Sequence, residues 1–277
     1  MFAAIFLMPT VLTFANSFMT ETEIAANYGV VFQKNEMGGK KFISEQVNLK
    51  LIPDKVTFSQ YATTLLRSPD YLLKFWNSVI LVLPIVVFQV AIAAFAAYSF
   101  MRSSGRAKEL LLFVYIFVML MPYQVTLVPN YLVAGRLGIL DTRWSIILPG
   151  IFSPFAVFIL TKSMRRIPFS LIEAARLDGA GEWHIFSKIC LPMCKGALFS
   201  VAILVFIDYW NMVEQVLILM PAVELQPLSV FLSNINQGEI GLAFAVATIY
   251  MVPPILLFLY GEEYLVEGIT YSGGLKG

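Results

Sequence analysis

Residues 75–101 read FWNSVILVLPIVVFQVAIAAFAAYSFM and contain no Asp, Glu, Lys or Arg between Lys74 and Arg102. A helix needs about 20 mostly apolar residues to cross the hydrocarbon core of a bilayer, and this stretch is long enough. In lipid a polypeptide must satisfy its backbone hydrogen bonds internally, and an α-helix does so within one segment. The stretch therefore predicts a membrane-spanning helix and an all-α membrane protein.

The composition of the whole chain agrees with a membrane protein. Of its 277 residues, 58% are hydrophobic and 13% are charged, and the mean hydropathy is +0.77. A soluble domain carries about 25% charged residues. The net charge is +1 with no basic block, so nucleic acid is not an expected partner. The two cysteines are too few for a disulfide scaffold.

Five further stretches are free, or nearly free, of charged side chains. We predict a single membrane domain over residues 1–277. Its six transmembrane helices are expected at residues 2–18, 75–101, 110–133, 144–163, 197–220 and 242–260. Prolines interrupt several spans and predict kinks, because a proline removes a backbone donor. They are Pro84, Pro122, Pro129, Pro149, Pro154 and the pair Pro253-Pro254.

The short loops predict the orientation in the cell membrane. Two of them carry nine Lys and Arg residues, whereas the opposite short loops carry only Arg136 and Arg143. An excess of Lys and Arg marks cytoplasmic loops, so both termini are expected in the cytoplasm and residues 21–73 outside. The nine residues are Arg102, Arg106, Lys108, Lys162, Arg165, Arg166, Arg176, Lys188 and Lys195.

The first span has an alternative interpretation as a signal peptide. No positive segment precedes it, its apolar run is long, and no small-x-small cleavage site follows it cleanly. We therefore expect it to be retained as a membrane span. We recognise no motif in residues 27–53.

The cytoplasmic loop between spans four and five contains FSLIEAARLDGAGEWHIFSKICLP at residues 169–192. The local sequence pattern predicts a helix, a break and a second helix. Ser170 can cap the first helix with Glu173 as its capping-box partner, and Gly179 and Gly181 end it. The second helix is expected to stop before Pro192. Such a pair suggests a docking surface for a protein, and the alternative is an interfacial helix lying on lipid headgroups.

This loop resembles the EAA loop of permease subunits of binding-protein-dependent ABC importers. The resemblance implies a MetI-like permease fold in which the first helix is the coupling helix that contacts an ATPase subunit. It also implies a homologous second permease subunit, an ATPase dimer that binds ATP and Mg²⁺, and an external solute-binding protein. The residues that carry the match are Glu173, Ala174, Ala175, Asp178, Gly179, Ile189, Leu191 and Pro192.

Other segments resemble the carbohydrate-importing, maltose-type branch of that family, which implies a sugar as the solute. The loop from Pro221 to Gly241, with Gln237-Gly238, resembles the one that reaches the solute-binding protein. The segments that resemble the branch are residues 124–129, 137–142, 146–150 and 176–180, and the tail 264–277.

Span five holds the candidate solute pathway. On a continuous helix at 100° per residue, its polar groups fall within about half of the circumference. A buried Asp costs roughly 2.5–3.5 kcal/mol at a span centre, so this half should face a cavity or a partner. Alternatively, Asp208 and Glu214 lie near the external end or pair with the sister subunit. The candidates are Asp208, Tyr209, Trp210, Asn211, Glu214 and Gln215.

The sequence offers no catalytic or metal-binding cluster. Residues 38–41 lack the first glycine and the Ser/Thr of a phosphate-binding loop, so we expect no ATP or other cofactor on this chain. His184 has no neighbour suited to metal binding, and Cys190 and Cys194 are expected to be packing residues.

Two rival functions remain open at this point. One is the same importer architecture serving a non-sugar solute. The other is an ion-coupled secondary transporter that uses Asp208 and Glu214 as its titrating pair.

Overall fold

The computed structural model describes residues 2–32, 49–102, 105–235 and 240–270. The Gly38–Lys41 run, Gln237-Gly238 and the tail beyond Thr270 lie outside these ranges. Every regular element within them is helical. The α-helices are α1 (Phe2–Asn16), α2 (Glu21–Phe32), α3 (Ser59–Ala62), α4 (Pro69–Arg102), α5 (Arg106–Met119), α6 (Tyr123–Leu137), α7 (Trp144–Gly150), α8 (Pro154–Met164), α9 (Phe169–Leu177), α10 (Glu182–His184), α11 (Leu191–Met193), α12 (Lys195–Trp210), α13 (Glu214–Leu219), α14 (Leu228–Ser233) and α15 (Ile240–Thr270).

Three helical segments of the described part are long and apolar enough to cross a membrane. They are Pro69–Arg102, Trp144–Met164 and Gly241–Tyr264, which correspond to predicted spans two, four and six. Up to five spans result if each of two bent helix pairs counts as one crossing. Helix α1 has 15 residues, fewer than the about 20 that a straight crossing needs. The first of the six spans therefore stays a prediction.

The stretch predicted as the span over 110–133 contains two helices joined at a sharp bend. Helix α5 ends at Met119, α6 begins at Tyr123, and the two axes differ by 99°. Pro122 precedes α6 with an extended ψ of 139°. Its ring removes a backbone donor and disfavours a helical residue before it, so the chain turns there.

Span four is also interrupted. Helix α7 ends at Gly150 and α8 begins at Pro154. The hydroxyl of Ser153 caps α8 by accepting a 3.4 Å hydrogen bond from the Ala156 N–H. Proline suits the first turn of a helix, where its missing N–H is unpaired in any case. Pro154 thus begins a new helix, whereas the sequence predicted a kink in a continuous one.

Span five breaks without a proline. Helix α12 ends at Trp210 and α13 begins at Glu214, so the stretch predicted as the span over 197–220 contains two helices and the span stays a prediction. Asn211 donates a 2.7 Å hydrogen bond from Nδ2 to the Ile207 carbonyl. Such local bonds let Asn compete with the helix ladder, which favours a helix end at this residue.

Other prolines lie inside continuous helices. Pro84 is within α4, Pro129 within α6, and Pro253-Pro254 within α15. Two of the breaks in spans three to five thus lie next to a proline, at Pro122 and just before Pro154, and the third, after Trp210, does not.

The chain divides into two compact units, and the first comprises Met1–Ser78 and Val223–Pro253. One of its apolar clusters has Leu12, Met19, Ile24 and Tyr28 at its centre. Asn16 donates a 2.5 Å hydrogen bond to the Tyr28 hydroxyl within it. A second cluster packs Tyr71 against Phe231 in an edge-to-face pair with centroids 5.0 Å apart.

An ion-pair group also belongs to the first unit. Lys50 contacts the carboxylates of Asp54 and Glu23, the latter at 3.1 Å. The hydrogen bond to Asp54 is the main cause that raises the pKa of Lys50. The two ion pairs of Lys50 tie residues 50–54 to α2.

The second unit comprises Val79–Ala222 and Pro254–Gly277. Helix α8 packs against both α5 and α12. Helix α15 lies close to α12: the Ser200 hydroxyl donates a 3.1 Å hydrogen bond to the Tyr264 carbonyl. The rings of Phe199 and Tyr264 stack with centroids 4.6 Å apart. This unit carries all the predicted coupling and pathway residues.

Candidate functional site

The cytoplasmic loop forms a helical hairpin, which we call the coupling hairpin (residues 169–193). Its first helix begins at Phe169 directly after Pro168, and no side chain caps it. The predicted Ser170 cap is therefore wrong, because the helix starts one residue before Ser170. Ile172, at 2% exposure, is the buried residue of this helix.

The first helix ends in a Schellman motif at Gly179. The N–H of Ala180 donates to the Ala175 carbonyl at 2.9 Å, and the N–H of Gly179 donates to the Arg176 carbonyl at 3.0 Å. Gly179 has a φ of 81°, which glycine adopts without steric cost. The predicted termination at this glycine is confirmed, and Gly179 has a backbone role of its own.

The second helix continues further than predicted. It begins at Glu182, passes through a π-helical stretch at Ile185–Cys190, and ends at Met193. Pro192 lies in the first turn of the short final segment. The prediction that the helix stops before Pro192 is wrong. Ile185, Phe186 and Cys190 are buried and hold this helix against the rest of the unit.

The predicted coupling residues differ in exposure. Glu173, Ala174, Asp178 and Gly179 are exposed, and Ala175 is half-buried. Glu173, Ala174 and Ala175 lie within the first helix, and Asp178 and Gly179 directly follow its last residue. In the second helix, Ile189 and Leu191 are half-buried and Pro192 is exposed. The predicted coupling residues of the first helix are thus more exposed than those of the second helix.

Glu182 connects the coupling hairpin to α4, and sequence reasoning missed it. Its Oε2 accepts a 2.5 Å hydrogen bond from the Tyr98 hydroxyl and lies 2.9 Å from Arg102 Nη1. Its Oε1 lies 3.4 Å from Arg176 Nη2. Tyr98 and Arg102 precede Glu182 by about 80 residues, so no local pattern connects them.

Aromatic rings surround the same joint. Phe95 of α4 stacks on Phe186 with centroids 5.0 Å apart and on Trp183 at 6.2 Å. Tyr98 meets Phe186 edge-to-face at 5.2 Å. The second helix therefore packs against α4 through Trp183 and Phe186.

The predicted pathway residues do not share one helical face. Asp208, Tyr209 and Trp210 belong to α12, whereas Glu214 and Gln215 belong to α13 beyond the break. Trp210 is 1% exposed and stacks on Phe206 with centroids 5.1 Å apart. The exposed members are Asp208, Asn211 and Glu214, and Tyr209 and Gln215 are half-buried.

Hydrogen bonds from the segment after α6 hold the C-terminal end of α13. The Asp141 N–H donates to the Leu219 carbonyl at 2.9 Å, and Asp141 Oδ1 accepts a 2.8 Å hydrogen bond from the Ala222 N–H. Ser145 Oγ donates to the same Leu219 carbonyl at 3.2 Å. Helix α13 also packs against α6 and α7. The break after Trp210 is thus followed by a short helix that is fixed at its far end.

In the ranges that the structure covers, no three His, Cys, Asp or Glu side chains are arranged to hold a metal ion. The two cysteines, Cys190 and Cys194, are free thiols and buried.

Comparison with known proteins assigns these features to a family. Residues 89–270 match the sequence model of the family described as "Binding-protein-dependent transport system inner membrane component". The match covers more than half of the chain and includes the C-terminal part of α4, the coupling hairpin, the broken helix pair α12–α13 and α15.

Two relatives illustrate the similarity. The arabinooligosaccharides transport system permease protein of Halalkalibacterium halodurans is 28% identical, over 83% of this chain and 84% of the relative. The polygalacturonan/rhamnogalacturonan transport system permease protein of Bacillus subtilis is 27% identical, over 100% of this chain and 95% of the relative.

A solved structure shares the fold. It is the crystal structure of a bacterial ABC transporter involved in the import of the acidic polysaccharide alginate. The TM-score is 0.77 at 22% identity, with coverage of 95% of this chain and 92% of that chain. At this identity the comparison shows the fold alone.

Proposed function

The chain belongs to the family of binding-protein-dependent transport system inner membrane components, and from that premise we propose that it carries a carbohydrate across the cytoplasmic membrane. It is the membrane-embedded permease subunit of an ABC importer. The family is one of transporters and not of enzymes. Its members work with an ATPase and a solute-binding protein.

The observation that carries the coupling part of the proposal is the exposed first helix of the coupling hairpin. Glu173 and Ala174 are exposed along this helix, and Gly179 ends it in a fixed geometry. The small side chain at Ala174 allows another backbone to approach closely. In the proposed assembly this helix lies in a cleft of the ATPase subunit, and the hydrolysed ATP and its Mg²⁺ belong to that subunit.

The proposed arrangement includes a homologous second permease subunit, so that two coupling hairpins face an ATPase dimer. In the proposed orientation both termini and the coupling hairpin lie in the cytoplasm, and the excess of Lys and Arg in the short loops on that side supports this. The importer changes between inward-facing and outward-facing states because ATP binding favours one of them.

A carbohydrate is the proposed solute because of the relatives' names. One relative is a permease for arabinooligosaccharides and the other for polygalacturonan or rhamnogalacturonan. Asp208, Asn211 and Glu214 supply exposed polar groups near the helix break, and such groups suit sugar hydroxyls. We propose that these three residues line the pathway, together with Tyr209 and Gln215. Trp210 is buried behind them and supports the end of α12 by packing.

Co-purification tests the coupling surface. The chain is expressed with its ATPase and sister subunit, and the ATPase should elute with the native chain from detergent. Glu173→Lys should abolish this, whereas Glu109→Lys, an equally exposed site on α5, should not. Equal recovery of ATPase with both variants would contradict the assignment of Glu173 to the contact.

Transport in proteoliposomes tests the function as a whole. With the binding protein outside and ATP inside, a labelled oligosaccharide should accumulate, and a proton ionophore should leave the rate unchanged. Uptake that requires a proton gradient and not ATP would favour the ion-coupled alternative. Accumulation of a non-sugar solute alone would keep the importer and replace the substrate.

A further inference from the structure

Glu182 is placed where three side chains from two elements converge. Both of its carboxylate oxygens are used: Oε2 by Tyr98 and Arg102, and Oε1 by Arg176. Tyr98 and Arg102 belong to the end of α4, and Arg176 belongs to the first helix of the coupling hairpin. Glu182 itself begins the second helix. One carboxylate thus joins both arms of the hairpin to α4.

The aromatic packing provides a second, independent connection between the same parts. Phe95 and Tyr98 of α4 contact Phe186, whose side chain is 4% exposed. Trp183 lies over Phe95 and remains 68% exposed. This packing holds the second helix against α4. The first helix packs on the Ile185–Cys190 stretch of the second helix, and the Arg176–Glu182 ion pair connects the end of the first helix to the same joint.

We propose that Glu182 is a positioning residue for energy coupling, which makes the coupling hairpin and the end of α4 move as one body. The proposal rests on the proposed function, because it concerns how movement of the hairpin reaches the transmembrane helices. When the ATPases close and displace the first helix, Arg176 and Glu182 carry the displacement to Arg102 and Tyr98. Without the charge, the first helix can move while α4 stays in place.

The role is geometric and not one of overall stability. The side chains of Glu182, Arg102 and Arg176 are between 36% and 49% exposed, and ion pairs at such exposure add little to stability. The short contacts of Tyr98 and Arg102 nevertheless fix the position of Oε2, and Arg176 attracts Oε1 from 3.4 Å. The aromatic contacts keep the hairpin folded when the charge is removed.

The experiment compares Glu182→Gln with Glu109→Gln in the reconstituted importer. The glutamine has the same shape and can still accept the Tyr98 hydrogen bond, but it loses the attraction to both arginines. ATPase co-purification and basal ATP hydrolysis should be unchanged. The amount of solute transported per ATP should fall about fivefold, at the lower end of the coupling factors between linked sites. Glu109→Gln should transport like the native importer.

A charge exchange tests the pair directly. Arg102→Glu alone should reduce the transport per ATP. Arg102→Glu combined with Arg176→Glu and Glu182→Arg, which reverses the charges of both ion pairs, should restore part of it. Maleimide labelling of Cys190, which is 0% exposed, reports whether the hairpin has opened. It should stay unreactive in Glu182→Gln.

Each outcome has a distinct meaning. Unchanged transport per ATP in Glu182→Gln would overturn the proposal. So would loss of the ATPase from the complex or labelling of Cys190, since either places Glu182 in docking or in local folding. Failure of the native chain to bind any ATPase would instead overturn the proposed function, which the same purification detects before any variant is compared.

Discussion

Asp141 Oδ1 accepts a 2.8 Å hydrogen bond from the backbone N–H of Ala222, although 81 positions separate the two residues in the chain. Asp141 has a φ of 58°, in the left-handed region that Asp and Asn tolerate better than other side chains. The bond fixes the segment that follows α13. It therefore connects the turn after α6 to the start of the loop that resembles a binding-protein contact.

Replacing Asp141 should separate its side-chain and backbone roles. Asp141→Ala loses the hydrogen bond and places alanine in the left-handed region, so it should destabilise the subunit by about 2 kcal/mol. Asp141→Asn keeps an acceptor oxygen and tolerates the same φ, so its stability should be near native. Thermal unfolding in detergent measures both. Equal loss in the two variants would contradict this account.

Gly179 and Gly181 of the coupling hairpin allow a comparison of two glycines that differ in the sign of φ. Gly179 has a φ of 81° and Gly181 a φ of −72°, and a Cβ at either position meets no atom within 4 Å. Gly179→Ala should therefore cost roughly 1–2 kcal/mol through backbone strain alone, whereas Gly181→Ala should stay within about 0.5 kcal/mol of native. Unfolding of the two purified variants compares them, and a larger cost at Gly181 would refute the Schellman assignment.

Trp210 should behave as a packing residue in stability measurements. Its indole is 1% exposed and stacks on Phe206, so Trp210→Ala should destabilise the subunit by roughly 3–5 kcal/mol. Trp183→Ala is the control, because Trp183 is 68% exposed and should cost much less. A native unfolding temperature for Trp210→Ala, with solute affinity alone reduced, would show that the ring faces the solute instead.

The two cysteines should be inert in the folded subunit. Cys190 is 0% and Cys194 is 2% exposed, so a maleimide reagent cannot reach either sulfur. Intact-mass measurement after labelling in mild detergent should show no adduct, and labelling in denaturant should show two. An adduct in mild detergent that peptide mapping assigns to Cys190 would mean that the second helix of the coupling hairpin opens.

The sequence predicts the fold class and the coupling hairpin because both depend on local patterns. The charge-free run at residues 75–101 needs no tertiary information, and Gly179 marks a helix end by its conformational freedom. The predicted location of spans two, four and six agrees with the three longest apolar segments. The six-span count and the orientation stay predictions.

The break after Trp210 escaped prediction because it depends on a side-chain bond and not on a proline. Asn211 bonds the Ile207 carbonyl, and the helical-wheel argument for one polar face assumed a helix that continues. The Glu182 joint was missed for a different reason. Its partners lie on α4, and only the tertiary fold brings Tyr98 and Arg102 to it.

Site-directed crosslinking tests the central claim most directly. Ala174 is exposed on the first helix of the coupling hairpin, and Ala174→Cys in the assembled importer should crosslink to a cysteine in the cleft of the ATPase subunit. The link should form more readily with ATP bound. Leu66→Cys, at 85% exposure in the segment predicted to lie outside, should give no such product. A crosslink from Leu66→Cys and none from Ala174→Cys would contradict both the coupling surface and the orientation.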